Sequence, residues 1–159
     1  LINALVGRKA LARTSNTPGR TQQINFFDLG GQLMIADLPG YGYARAPKAS
    51  VDRWTELVQS YLVGRVNLRR ILLLVDARHG LKENDRSVMM VLDKAAQPYQ
   101  IVLTKIDKIK PNPLVALQNR TSNDASKYAA AHPQIMATSS QKKIGIFDLR
   151  AELAALVDR

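Results

Sequence analysis

The unbroken apolar run Ile71-Leu72-Leu73-Leu74-Val75 narrows the choice of fold more than any other stretch of this chain. A strand with one wet face alternates apolar and polar residues, so a continuous run of this length reads as a strand covered on both sheet faces. A second buried strand is expected from Tyr99 to Leu103. Between the two, from about Asn84 to Ala96, Val88, Val91, Leu92 and Ala95 recur at helical spacing, and Pro98 marks the end of that helix. Buried strands joined by a helix pair in parallel through a crossover. The pattern continues downstream: Asn112 caps a helix with Pro113 in its first position, reaching to about Ala131. Gln134 to Ala137 is the last strand, and Phe147, Leu149, Leu153 and Leu156 are the inward face of a terminal helix. Upstream, Leu1 to Val6 is the end of a helix. Gln23 to Asp28 and Leu33 to Ala36 form an antiparallel hairpin across Gly30-Gly31, and Ser50 caps a helix that places Val51, Trp54, Leu57, Val58, Tyr61 and Leu62 on one face. The expected class is α/β, a mixed and mostly parallel sheet with helices on both faces.

Ligand sites in such sheets gather at the carboxyl ends of the strands, and polar segments stand at those ends. Thr104-Lys105-Ile106-Asp107 follows Ile101-Val102-Leu103. A carboxylate at Asp107 can accept the N1–H and N2–H₂ donors of guanine on its two oxygens, a pairing that the edge of adenine cannot supply. Lys105 can lay its aliphatic stem over the base with its ammonium near solvent. Asp37-Leu38-Pro39-Gly40 closes the run Leu33 to Ala36, which puts Asp37 where a strand-end carboxylate holds Mg²⁺. Gly40 leaves room for a backbone N–H to approach a γ-phosphate. In the polar loop before the hairpin, Gly19, Arg20, Thr21, Gln22 and Gln23 form a phosphate-side segment, with the Thr21 hydroxyl a second Mg²⁺ ligand. Thr138, Ser139 and Ser140 are small enough for backbone amides to meet guanine O6. Each segment alone is also an ordinary turn or polar loop; their order along the chain is what reads as a guanine-nucleotide site. His79 and His132 stand too far from other ligands to form a metal site.

The runs TPGRTQ, DLPGYGYA, LLLVDARHGLKENDRSVMMVL, VLTKIDK and TSS with IGIFDL after it resemble the EngB/YsxC family of bacterial ribosome-biogenesis GTP-binding proteins, over nearly the whole chain. The resemblance implies a three-layer P-loop GTPase (Ras-like) fold that binds GTP and GDP with Mg²⁺. It implies slow hydrolysis, a part in assembling the large ribosomal subunit through contact with its rRNA or precursor, and a need for the protein in normal cell division and septation. Relatives often hold K⁺ near the P-loop. That loop, GxxxxGK[ST], is absent here, and Leu1 to Leu5 resembles the helix that follows it. The expectation is therefore one GTPase domain over 1–159, truncated before its first strand and P-loop. A pseudo-GTPase that binds ribosomal RNA independently of nucleotide stays open as the alternative. Tyr41 stands where many small GTPases carry a glutamine that orients water, which fits slow turnover.

Composition agrees with one domain: 159 residues with 46% hydrophobic content can bury a sizeable core. A net charge of +10 and a pI near 10.2 favour a polyanionic partner. The loop Tyr41 to Lys48, with Tyr43 and Arg45 between, offers rings and cations to RNA; Arg65, Arg69 and Arg70 are a second basic group. Zero cysteines exclude disulfides and thiolate metal sites. Without a signal peptide, an apolar span or a lipidation motif, the protein is expected in the cytoplasm, away from membranes and as a monomer.

Overall fold

The computed structural model describes residues 1–7, 24–38, 40, 56, 60, 61, 65 and 67–157. The chain divides into two compact units, Leu1–Lys9 with Arg69–Arg159, and Ala10–Leu68. In chain order the elements are α1 (Ile2–Val6), β1 (Asn25–Leu29), β2 (Leu33–Asp37), β3 (Ile71–Asp76), α2 (Glu83–Lys94), β4 (Tyr99–Thr104), α3 (Pro111–Ala125), β5 (Met136–Ala137) and α4 (Ile146–Ala154), with a 3₁₀ turn at Ile106–Lys108.

In the unit that holds β3, a parallel sheet runs in the order β3-β4-β5. β4 is its centre, and Tyr99 through Leu103 are all buried, as a strand covered on both faces requires. In that stretch the buried Gln100 amide is satisfied, accepting from Arg70 Nη1 at 3.0 Å and donating to the Gln134 carbonyl at 3.2 Å, whereas the buried Tyr99 hydroxyl has no partner among the described residues. On one face, Val102 packs with Met136, Leu5 of α1, and Ile146 and Leu149 of α4. The other face is built from buried Leu73, Val75, Ile101 and Leu103, while α2 and α3 bury Met89, Leu92, Leu117 and Ala125. Arg86 ties α2 to α3 through Asp124 at 2.7 Å. α1 is tied to α4 by Arg150. Its carbonyls at Ala4 and Leu5 accept from the Arg150 guanidinium at 2.8 and 2.7 Å.

Several boundaries and faces differ from expectation. β3 is covered less fully than its composition suggests: Leu72 packs against the cluster around Leu5, but Leu74, next on that face, is 46% exposed, and β3 is the outer strand among the described residues. In α2 the inward residues are Met89 and Leu92, with Val88 and Val91 half-buried and Ala95 exposed. The helix starts one residue earlier, at Glu83, where Asp85 accepts from the Lys82 N–H. α3 begins at Pro111 with Lys110 as N-cap, which puts Asn112 inside the helix. It ends at Ala125, well before Ala131, since Ala131 bridges Tyr99 and His132 N–H donates to the Tyr99 carbonyl at 2.7 Å. β5 is confined to Met136–Ala137. In α4, Ile146 takes the inward position, and Phe147, expected inside, is 79% exposed.

The unit Ala10–Leu68 contains the expected hairpin, with β1 and β2 antiparallel from Asn25↔Asp37 to Leu29↔Leu33. Gly30 and Gly31 both adopt positive φ in the connection, and Gly31 N–H donates to Asp28 Oδ1 at 2.8 Å. Phe26 tilts against Tyr61 with ring centroids 6.1 Å apart, and the Arg65 guanidinium lies 4.1 Å from the Tyr61 centroid. The expected cap at Ser50 and core residue Trp54 lie outside the described residues.

Candidate functional site

β4 delivers Thr104, whose hydroxyl donates back to the Val75 carbonyl at 3.2 Å. Lys105 then takes φ +60°, a left-handed reversal rare for a side chain with a Cβ. That reversal drops Ile106 into the core and starts the 3₁₀ turn that presents Asp107. The neighbouring strand supplies the partner loop. Pairing of Leu103 with Ala137 brings Thr138 alongside, where its N–H donates to the Leu103 carbonyl at 2.7 Å and its own carbonyl accepts from Ile106 N–H at 3.2 Å. Ser139 is fully buried; its hydroxyl donates to Asp107 Oδ1 at 2.6 Å and accepts from Lys142 N–H at 3.0 Å. Ser139 N–H donates to the Ile144 carbonyl at 2.9 Å, closing a turn that ends at Gly145.

Asp107 keeps 7% of its side-chain surface. The Ser139 hydroxyl, with Lys108 at 3.4 Å, holds its carboxyl below the usual carboxylate range. It is therefore ionised at neutral pH. A carboxylate oxygen carries two lone pairs, so one bond from Ser139 fixes the group and leaves capacity on both oxygens for a two-donor edge. The structure thus brings together Thr104, Lys105, Ile106 and Asp107 with Thr138 and Ser139, residues some 32 positions apart in sequence; Ser140 follows at the surface.

One residue of this group escapes a motif-by-motif reading. Asp76 ends β3 opposite Thr104 in the register. It accepts Lys105 Nζ at 2.9 Å, and Arg78 on both oxygens, Nε at 2.9 Å and Nη2 at 2.6 Å. The Arg78 guanidinium foremost, and Lys105 with it, hold the Asp76 carboxyl far below the usual range. Lys105 is thereby tethered at its tip, which fixes the course of its aliphatic stem. The sequence signal was available: sliding the two apolar strands against each other in parallel register lands Asp76 beside the TKID turn.

In the other unit, Asp37 closes β2, with Leu38 half-buried and Gly40 exposed. Burial pushes the Asp37 carboxyl above the usual range. No hydrogen bond or ion pair reaches that carboxylate among the described residues, which leaves a desolvated hard oxygen donor of the kind a divalent cation satisfies. Gly19, Arg20, Thr21, Gln22, Gln23 and Pro39, and the loop from Tyr41 to Lys48, lie outside the described residues. His132 is occupied by backbone contacts, its N–H donating to Tyr99 and its Nδ1 accepting from Gln134 N–H at 3.3 Å. Among the described residues no helix is long and apolar enough to cross a membrane.

A family model described as 50S ribosome-binding GTPase matches residues 1–105. The probable GTP-binding protein EngB of Rhodospirillum rubrum is 58% identical over 161 residues, which span 98% of this chain and 70% of the relative. Its counterpart from Brucella melitensis biotype 1 is 56% identical over 166 residues, spanning 99% and 69%. Among solved structures, the crystal structure of a probable GTP-binding protein EngB aligns with a TM-score of 0.74 at 21% identity, over 99% of this chain and 90% of that one. A crystal structure of Era in complex with MgGDPNP and nucleotides 1506–1542 of 16S ribosomal RNA aligns with a TM-score of 0.75 at 20% identity, over 98% and 51%. At those identities the two structures bear on the fold, which they show to be that of P-loop GTPases.

Proposed function

The chain belongs to the 50S ribosome-binding GTPase family and, within it, to the EngB GTP-binding proteins, and on that premise we propose that it is a guanine-specific, Mg²⁺-dependent switch acting in large ribosomal subunit assembly. The observation that carries the guanine reading is the buried Ser139 hydroxyl, 2.6 Å from Asp107 Oδ1. That bond sets the carboxylate ionised and oriented, ready to accept two donors from one base edge. Lys105, held at its tip by Asp76, lays its stem along the base. Thr138, Ser139 and Ser140 form the side of the pocket where guanine O6 is met.

Phosphoryl transfer of this kind depends on positioning and charge stabilisation rather than on covalent chemistry by the protein. Mg²⁺, when bound, neutralises charge developing on the β- and γ-phosphate oxygens. Asp37 suits the metal side, since its carboxylate is desolvated and accepts no hydrogen bond among the described residues. Thr21 is the second oxygen ligand, Gly19, Arg20, Gln22 and Gln23 line the phosphates with it, and Leu38, Pro39 and Gly40 carry the N–H that senses the γ-phosphate. Hydrolysis is slow, because Tyr41 occupies the place next to Gly40 where a side chain could orient water. The partner is the large subunit or its precursor in the cytoplasm. The family's description and the +10 charge support it, and the Era neighbour is itself in complex with ribosomal RNA. Cell division and septation depend on the protein through that assembly step. One GTPase domain over 1–159 accommodates these roles.

Fluorescent-nucleotide titration tests the reading. The whole protein is expected to bind GDP and GTP and to reject ATP, and Asp107→Asn is expected to transfer preference to xanthine nucleotides, since the amide N–H₂ suits a 2-oxo group. Equal affinity for ATP and GTP in the wild type refutes guanine recognition.

A further inference from the structure

The loop that fixes Asp107 continues directly into the most exposed aromatic ring of the described residues. Phe147 is 79% exposed, and Ile144, three residues before it, is 49% exposed. Helix phase explains the ring's position: Ile146 and Leu149 take the two inward places of α4 and leave Phe147 outward. Lys142 and Lys143 are exposed beside them, and among the described residues neither makes an ion pair. Lys143 sits at φ +58°, a conformation that a side chain adopts at a cost and that the surrounding turn imposes. The turn is bolted to the base site by Ser139, which accepts from Lys142 N–H and donates to the Ile144 carbonyl and to Asp107.

We infer that Lys142, Lys143, Ile144 and Phe147 form a docking knuckle for unpaired RNA, built as one piece with the guanine-specificity loop. A flat ring that stands clear of the surface, flanked by two exposed ammonium groups on a chain of net charge +10, matches a single strand that stacks a base and sets its phosphates against cations. Asp148, exposed on the helix side of the ring, disfavours phosphate there and confines the strand's backbone to the lysine side. Because Ser139 joins both surfaces, RNA on the knuckle and guanine on Asp107 influence each other, and the coupling is equal in both directions. This inference rests on the RNA-containing partner proposed above.

The test uses the whole protein, a fluorescein-labelled unstructured A/U-rich RNA, purified large subunits, and a salt series. Phe147→Leu, which keeps apolar area and loses the flat face, is expected to weaken RNA binding roughly 5- to 160-fold, the span of one stacked base. Phe147→Tyr restores it. Lys142→Ala with Lys143→Ala is expected to lower the salt slope by about 1.4, at ~0.7 per cation on a single strand. GDP affinity without RNA stays at the wild-type value in every variant, which also reports intact folding, and RNA slows GDP release in the wild type. Variants that bind RNA and subunits as the wild type does overturn the knuckle and leave the ribosomal partner standing. Displacement by polyglutamate with indifference to Phe147 overturns it in favour of an acidic protein. A wild type that binds neither RNA nor subunits refutes the partner and the knuckle together.

Discussion

Gly145 and Gly30 share nearly the same φ, +65° and +70°, and differ in surroundings, so alanine at each separates two energies that are usually mixed. At Gly30 an added Cβ meets nothing within 4 Å. Only the left-handed penalty of about 1–2 kcal/mol applies, partly offset by the stiffer unfolded chain at about 0.4–1 kcal/mol. A net loss of about 1 kcal/mol follows. At Gly145 the same methyl runs into the Ala137 carbonyl oxygen and stands 3.2 Å from its carbon and 3.5 Å from Thr138 Cα, all backbone that cannot swing aside. Overpacking of this kind adds about 1–3 kcal/mol, which brings Gly145→Ala to about 3 kcal/mol. The displaced atoms belong to the strand end that accepts Ile106 N–H and leads to Ser139, so nucleotide affinity should fall along with stability. Urea unfolding of both variants, paired with a GDP titration in native buffer, reads both effects. Losses within about 0.5 kcal/mol of each other would refute the close-approach account. A destabilised Gly145→Ala with wild-type GDP affinity would refute the claim that this contact positions the base loop.

Asp37→Asn should raise the urea midpoint of the nucleotide-free protein at pH 7 and abolish the Mg²⁺-dependent preference for GTP. Its folded pKa lies above the unfolded value of about 3.9, so the stability it lends is present below that value and lost as pH rises through the folded pKa; an unchanged midpoint argues against a buried charge there. Ser139→Ala should shift the acid limb of stability to higher pH. The folded pKa of Asp107 is depressed by the Ser139 hydroxyl, so its contribution is complete above about 3.9 and disappears as pH falls through the folded value. Acid titration followed by carboxyl NMR shows whether the Asp107 midpoint moves up.

Hydrophobic pattern carried most of the architecture, because burial on both faces leaves few residue types for a strand such as β4 and few readings for its sequence. Where packing alone decides, the pattern was insufficient. Phe147 and Ile146 are equally apolar neighbours, and only the left-handed start of α4 at Gly145 determines which one points inward. The end of α3 at Ala125 depends on Tyr99, whose backbone captures Ala131 and His132 from a distant part of the chain. At the candidate site, TKID and TSS were visible as separate strand-end loops, and their juxtaposition follows from β4–β5 pairing. Asp76 was invisible as a motif because its role comes from register with a strand 29 residues away.

The two hydrogen bonds from Arg150 to α1 also bear on the order in which the protein takes shape. The guanidinium is separated from its Leu5 acceptor by 145 residues. At about 5–20 residues per second, a ribosome needs roughly 7–29 s to make that stretch. Throughout that interval the α1 segment, with Leu1, Ala4 and Leu5 among its apolar side chains, has neither the Arg150 donor nor the α4 surface it packs on. The apolar side chains of α1 therefore stay uncovered until α4, far along the chain, has been made.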